Sequence, residues 1–279
     1  MPIPDLRSIV YPRPSYDSRK VSQRFAGRWV VVTGATSGIG KALTQLLMEA
    51  GANLYLIARR GKVLQSLCEE AKQKGCMAHF CTADLREQSA LDALVADMKE
   101  KLPCVDYFFC NAGKSIHRAI ADATDRLHDY DRTMAVNYRS LVALTLAMLP
   151  LLQRSAQANG TGRVIYSSSV STLYPPAPGW SAYHASKSAA NVWCQTADAE
   201  LAKTGVRVKV AYLPLVHTPM SDVNPDYRDL PGYTAEEAAL ILLKLSQSRC
   251  LSYKPWWARL SYGLAHVLSP VIRLIYRHS

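Results

Sequence analysis

Trp29-Val-Val-Val-Thr33-Gly34-Ala-Thr36-Ser37-Gly38-Ile39-Gly40 is the stretch that decides how this chain folds. Its first five residues form a short, continuous apolar run, as in a strand buried on both faces of a parallel sheet. Three glycines follow, and residues 41–50 then read as a helix. Strand, glycine turn and helix in that order make a phosphate cradle. The glycines let the backbone approach a pyrophosphate, and the helix N-terminus turns N–H groups and a partial positive charge toward it. A glycine turn alone is commonly a plain loop; its place between a buried strand and a helix points to a dinucleotide. The contact candidates here are Gly34, Thr36, Ser37, Gly38, Ile39 and Gly40.

The pattern repeats downstream. Asn53–Ala58 reads as a second strand, 77–81 as a third with Asp84 and Leu85 at its carboxyl end, and 105–110 as a fourth running into Asn111-Ala112-Gly113. Residues 163–168 form a fifth, leading into Ser167, Ser168 and Ser169, and 206–213 a sixth, followed by Pro214, Val216 and Thr218. Helices fall at 62–74, 87–101, 131–152 and 181–204. Such alternation specifies an α/β fold, a doubly wound parallel sheet of Rossmann type that binds ligands at the strand carboxyl ends. Every motif named so far lies at such an end or on the helix after it. Residues 29–248 therefore read as one domain, without internal repeats.

Arg59 and Arg60 follow the second strand, where the adenosine ribose would lie. A carboxylate there would bind the 2′-hydroxyl of NAD. Two guanidiniums suit a 2′-phosphate and favour NADP(H); the alternative is a pair of solvated arginines opening the next helix. Tyr183-His-Ala-Ser-Lys187 lies on the helix at 181–204, so phenol and ammonium project from one face, a turn apart. An unperturbed phenol titrates near pH ~10, and a cation held beside it lowers that value toward working pH. A nearby serine hydroxyl would hold a substrate carbonyl. The Tyr-x-x-x-Lys spacing alone recurs by chance, usually as a solvated helix face.

At 279 residues the chain is long enough to bury a large core. Its seven cysteines contain no C-x-x-C pair. They read as small buried hydrophobes in a reduced cytoplasm, with no metal site indicated. Residues 1–28, with four prolines, read as an extended surface arm without the apolar core of a signal peptide. No uncharged apolar run reaches the roughly 20 residues of a spanning helix, 140–153 being the longest. The net charge of +11 is not gathered into basic blocks with interleaved aromatics. That argues against nucleic acid and for an anionic cofactor or membrane surface.

Jointly, Thr33-Gly34-x-x-x-Gly38-x-Gly40, Asp84, Asn111-Ala112-Gly113, Asn137, Ser169 and Tyr183-x-x-x-Lys187 make residues 27–247 resemble the short-chain dehydrogenase/reductase family. The resemblance implies a hydride-transfer enzyme with a nicotinamide cofactor. It implies Tyr183 as general acid, Lys187 as the ribose ligand that lowers the tyrosine pKa, Ser169 as the carbonyl holder and Asn137 as support for a water relay. Asp84 would take the adenine amino group, with Leu85 beside it. Asn111, Ala112 and Gly113 would line the cleft, and Pro214, Val216 and Thr218 would meet the nicotinamide end. Ser169 is chosen among the three serines because it precedes Val170 and stands fourteen residues before Tyr183. Two positions depart from the family pattern: Cys110 replaces a first asparagine, and Leu213-Pro214 replaces Pro-Gly, giving a stiffer turn.

Residues 111–118, 127–134 and 215–220 look like the reductase portion of bacterial fatty acyl-CoA reductases, which make fatty aldehydes with NADPH. Lipid ketone reductases of the 3-ketodihydrosphingosine type share several of these features. A hydroxysteroid-type ketone reductase and a non-enzymatic, cofactor-gated membrane scaffold stay open as alternatives. His117, Arg118 and His217 would meet an acyl-CoA or a polar head group, or are ordinary rim residues. The family's habit of pairing the helices at 131–152 and 181–204 implies a homodimer or homotetramer.

Residues 218–233, rich in proline, read as a mobile lid over a lipophilic substrate. Residues 249–279 carry five Lys/Arg, no acid, and tryptophans and tyrosines among leucines. Leu260, Leu264 and Leu268 share a helical face, while Arg259 and His266 share another; Ser269-Pro270 would restart a second helix. Such a basic amphipathic segment suits peripheral membrane contact through 253–277, at the cytoplasmic face, or packing against the domain.

Overall fold

A computed structural model describes residues 6–278; residues 1–5 of the expected arm and Ser279 lie outside the described residues. Helices α1 (Leu6–Val10) and α2 (Ser18–Phe25) precede β1 (Trp29–Thr33). Then α3 (Gly38–Glu49), β2 (Asn53–Ala58), α4 (Gly61–Gln73), β3 (Ala78–Thr82), α5 (Gln88–Lys101) and β4 (Tyr107–Cys110) alternate. Helix α6 (Leu127–Met134) runs through a π turn, Ala135–Arg139, into α7 (Ser140–Asn159). Next come β5 (Arg163–Ser169), α8 (Ser181–Leu201), β6 (Arg207–Leu213), α9 (Ala235–Gln247) and β7 (Ser252–Tyr253). Helices α10 (Trp256–Val267) and α11 (Ser269–His278) follow.

The strands form one parallel sheet in the order β3-β2-β1-β4-β5-β6-β7. Chain direction across the sheet reverses between β1 and β4, which opens a crevice at their carboxyl ends. Alternation along β1 explains how its apolar run is used. Val30 and Val32 enter the core beneath α3, α4 and α9, while Val31 enters the opposite core with α5, α7 and α8. The fold is the expected doubly wound one.

Several local expectations change. The arm is not extended throughout: Asp17 accepts from the Lys20 N–H and caps α2, whose Val21 and Phe25, four apart, are buried. The Phe25 ring lies 4.6 Å from Tyr107. The helix expected at 131–152 is longer and broken by the π turn. By length and mean hydropathy, 1.4, Leu127–Asn159 is able to cross a membrane. Here Leu141, Leu144, Met148 and Leu152 fill the core instead. Strand β7, two residues long, was too short to leave a sequence signal. All seven cysteines are free thiols; four are buried, but Cys250 is exposed. Cys110, the last residue of β4, is buried in the core.

Candidate active site

The glycine turn closes on itself. A Cβ on Gly40 would stand 2.2 Å from the Gly34 carbonyl oxygen, so no other residue fits there. Gly34 has φ +71° and backs onto Ala112, while Gly38 has φ +48° and packs against the Thr218 side chain. Thr33, just before the turn, accepts from the N–H groups of both Asn111 and Ala112 at 3.0 Å. Ser167 donates to Asn111 Oδ1 at 3.2 Å. Ser37 precedes α3 without capping it through its side chain. The β1 turn, Asn111–Gly113 and Thr218 thus form one cleft at the β1/β4 crevice.

At the end of β2 the two arginines part company. Arg60 donates from Nε to Thr36 Oγ1 at 3.2 Å and from Nη2 to the Thr36 carbonyl, bracing the glycine turn. Arg59 is exposed, and its charge helps to depress Asp84. Both arginines are exposed to solvent, and Arg60 is in addition tied to the glycine turn. Asp84 is gripped by Arg86, whose Nη2 lies 2.6 Å from Oδ2 and whose N–H and Nε reach Oδ1 at 3.0 Å. That hydrogen bonding holds the carboxyl below the usual carboxylate range. Leu85 is buried beside it.

Lys187 on α8 is buried. Its Nζ donates to the Ser167 carbonyl at 2.8 Å, lies 4.7 Å from the Tyr166 ring centroid and 6.0 Å from that of Tyr183. Burial lowers its pKa to about 8. The half-buried Tyr183 goes the opposite way from expectation: burial raises its phenol above the usual value, against a smaller downward pull from a hydrogen bond with Ser169. The ammonium is directed at Ser167 and the Tyr166 face, so desolvation prevails at the phenol.

Ser169 ends β5, with its Oγ 2.8 Å from that of Ser171. Ser167 is tied to Asn111, and the buried Ser168 hydroxyl has no hydrogen-bond partner. Of the three serines, Ser169 is the one whose side chain bears on the Tyr183 phenol.

Asn137 sits in the π turn, fully buried, where Ser140 N–H donates to the Ala135 carbonyl across five residues. Its Oδ1 accepts from Lys114 N–H at 2.8 Å, and its Nδ2 donates to the Lys114 carbonyl and to Ser186 Oγ, both at 2.9 Å. Its own carbonyl accepts from the Tyr166 hydroxyl at 3.0 Å. A Cβ on Gly113 would lie 3.4 Å from Asn137 Oδ1 and 3.5 Å from Lys187 Nζ, so the three meet.

The family model for short chain dehydrogenases matches residues 28–228. The chain belongs to the short-chain dehydrogenase family. It is 35% identical to a fatty acyl-CoA reductase of Acinetobacter baylyi, over 78% of this chain and 72% of that protein. Identity to a fatty acyl-CoA reductase of Mycobacterium tuberculosis is 33%, over 82% of this chain and 76% of the other. In fold it is similar to a short-chain type dehydrogenase/reductase from Mycobacterium marinum. The TM-score is 0.71 at 22% identity, covering 82% of this chain and 92% of that one.

In this short-chain dehydrogenase an aromatic wall flanks the phenol, joining the rim candidate His117 to Trp180 and Tyr227, which belong to no motif. Trp180, just ahead of α8, stacks on His117 at 4.6 Å and on Tyr227 at 6.1 Å, and lies edge-on to Tyr183 at 5.8 Å. Tyr227 belongs to the segment 218–233, which meets the body of the domain here. Tyr166, a tyrosine inside a strand, and Ser186, a serine inside a helix, carry no chemical signal of their own in the sequence. Trp180 left a faint one, as a bulky aromatic three residues before Tyr183. The rim residues have structural partners. Arg118 Nε reaches the buried Asp129 at 3.2 Å, and His217 Nε2 lies 3.0 Å from the Leu230 carbonyl oxygen. Among the described residues no group of three or more His, Cys, Asp or Glu side chains could hold a metal.

Proposed function

We propose that this short-chain dehydrogenase is an NADPH-dependent reductase of a carbonyl in a lipophilic, long-chain acyl substrate, a fatty acyl-CoA or fatty aldehyde. The observation that carries it is the convergence of Ser169, Tyr183, Lys187 and Asn137 beside a glycine cleft that fits a dinucleotide. The names of the two reductase relatives support the substrate class. The exposed Arg59 after β2 supports the phosphorylated cofactor.

A bound NADPH supplies the hydride for the carbonyl carbon. Ser169 Oγ donates to the carbonyl oxygen and orients it. Tyr183, whose raised pKa keeps its proton at neutral pH, hands that proton to the same oxygen as negative charge develops. Lys187 stabilises the resulting phenolate, and Asn137 fixes the turn beside Lys187 for reprotonation. With a thioester the product is a hemithioacetal, which expels the thiol and leaves an aldehyde; with an aldehyde it is an alcohol. Self-association through α7 and α8, where Leu146 and Val192 stand exposed, belongs to the same proposal.

Hexadecanoyl-CoA, hexadecanal and a long-chain ketone, assayed in detergent by loss of NADPH absorbance, provide the test. Turnover of the thioester or aldehyde is expected; turnover of the ketone alone would move the assignment to lipid ketones, and silence with all three would end it. Tyr183→Phe should cut kcat by roughly 10²–10⁴-fold while NADPH affinity stays unchanged.

A further inference from the structure

We propose that the α10–α11 pair docks this protein on an anionic phospholipid bilayer, lying in its surface rather than crossing it. The apolar side chains facing away from the domain carry the argument. Leu260, Leu264 and Val267 recur at i, i+4 and i+7 along α10, and Val271, Leu274 and Ile275 at i, i+3 and i+4 along α11. Each of the six is more than half exposed. Of the twenty large hydrophobic residues exposed among the described residues, nine lie between 256 and 275. The apolar surface is thus concentrated on one pair of helices rather than scattered.

This outer stripe is not surplus from domain packing, because α10 has a separate inner face. Ala258 is fully buried, the Trp257 ring stacks on Tyr174, and Ser261 Oγ lies 2.6 Å from the Tyr174 hydroxyl. The indoles of Trp256 and Trp257 donate to the Ile9 and Val10 carbonyls at 2.9 and 3.1 Å. Ile9, itself 44% exposed, extends the patch.

Charge chooses the occupant. After Glu237 the chain has no acidic side chain, yet it carries Lys244, Arg249, Lys254, Arg259, Arg273 and Arg277. Arg259 and Arg273 are exposed beside the apolar stripe. A second copy would bring these cations against themselves, whereas anionic head groups neutralise them. Length sets the mode. Helices of 12 and 10 residues span about 18 and 15 Å, short of the ~30 Å hydrocarbon layer, and Pro270 interrupts any continuation between them. The geometry is that of an interfacial anchor. Tyr174, on which α10 rests, closes the 3-10 turn that begins at Ser169, so docking would bring that side of the pocket toward lipid. Docking is a separate claim from the proposed reaction and is read without turnover.

The test is flotation of the full chain with vesicles of phosphatidylglycerol and phosphatidylcholine, against phosphatidylcholine alone. The wild type should float with the anionic vesicles, and several-fold less with the neutral ones or at high salt. The double variant Leu264→Asp/Val271→Asp should reduce the bound fraction at least ten-fold while keeping the melting temperature. Arg259→Gln/Arg273→Gln, which spares the apolar stripe, should lose most of the preference for anionic lipid. A wild type that stays in the aqueous fraction overturns the proposal, as does an aspartate variant that floats like the wild type. So does an oligomer, in sedimentation without vesicles, that the aspartate pair splits into monomers, since the patch would then cover a second copy.

Discussion

Arg59 and Arg60 are adjacent in sequence and differ in what they hold. Both are exposed just after β2, and Arg60 also braces the glycine turn through Thr36. Arg59→Ala should therefore weaken NADPH binding about ten-fold or more, a charge-assisted contact to phosphate being worth roughly 1.5–3 kcal/mol, and leave NADH untouched. Arg60→Ala should weaken both cofactors alike. Titrations of the two variants check this, and equal losses of both cofactors in Arg59→Ala would remove the phosphate contact.

Lys187 governs a second expectation. Burial lowers its pKa to about 8, and burial raises Tyr183 above its ordinary value. As pH rises through about 8 the ammonium discharges while the phenol still holds its proton. The kcat/KM for reduction should fall there, with Lys187 responsible; a limb appearing only near the phenol's own titration would contradict it. In the sequence Tyr183 and Lys187 stand out by their four-residue separation, whereas Ser169 and Asn137 are marked only by the resemblance to the family. The direction of the Tyr183 shift was not legible, since it depends on where Nζ points and on how much water the fold excludes.

Among the elements, α2 shows how a correct composition can mislead. Four prolines in the first 28 residues suggested an extended arm, yet Asp17 followed by Val21 and Phe25 carries a cap and an i, i+4 apolar pair. Phe25 is fully buried against Tyr107. Phe25→Ala should cost about 3–5 kcal/mol, whereas Tyr16→Ala, at an exposed position, should stay within about 0.5 kcal/mol. Urea denaturation of the two variants measures both. The π turn left no trace in the sequence: its one surplus residue changes neither composition nor the apolar pattern on either side. It nonetheless sets Asn137 between Lys114 and Ser186.

For the molecule as a whole, six of the seven strands were readable because most of them are apolar runs alternating with helical stretches, while the two-residue β7 left no such run. What reached across the sequence was less readable. The aromatic wall joins His117, Trp180 and Tyr227 from three separate loops, and no local window contains it. The same holds for the opening helix. Tyr11 meets Tyr233 edge-on at 5.2 Å, the Tyr233 hydroxyl donates to the Pro12 carbonyl, and the tryptophans of α10 hold the carbonyls of Ile9 and Val10. These partners stand 221 and 247 positions apart. During synthesis the segment at 9–12 therefore leaves the ribosome long before Tyr233, Trp256 and Trp257 exist. That seam is among the last parts to close, and a nascent chain halted before Tyr233 lacks the contacts of Tyr11 and Pro12 with Tyr233 and of Ile9 and Val10 with the α10 tryptophans.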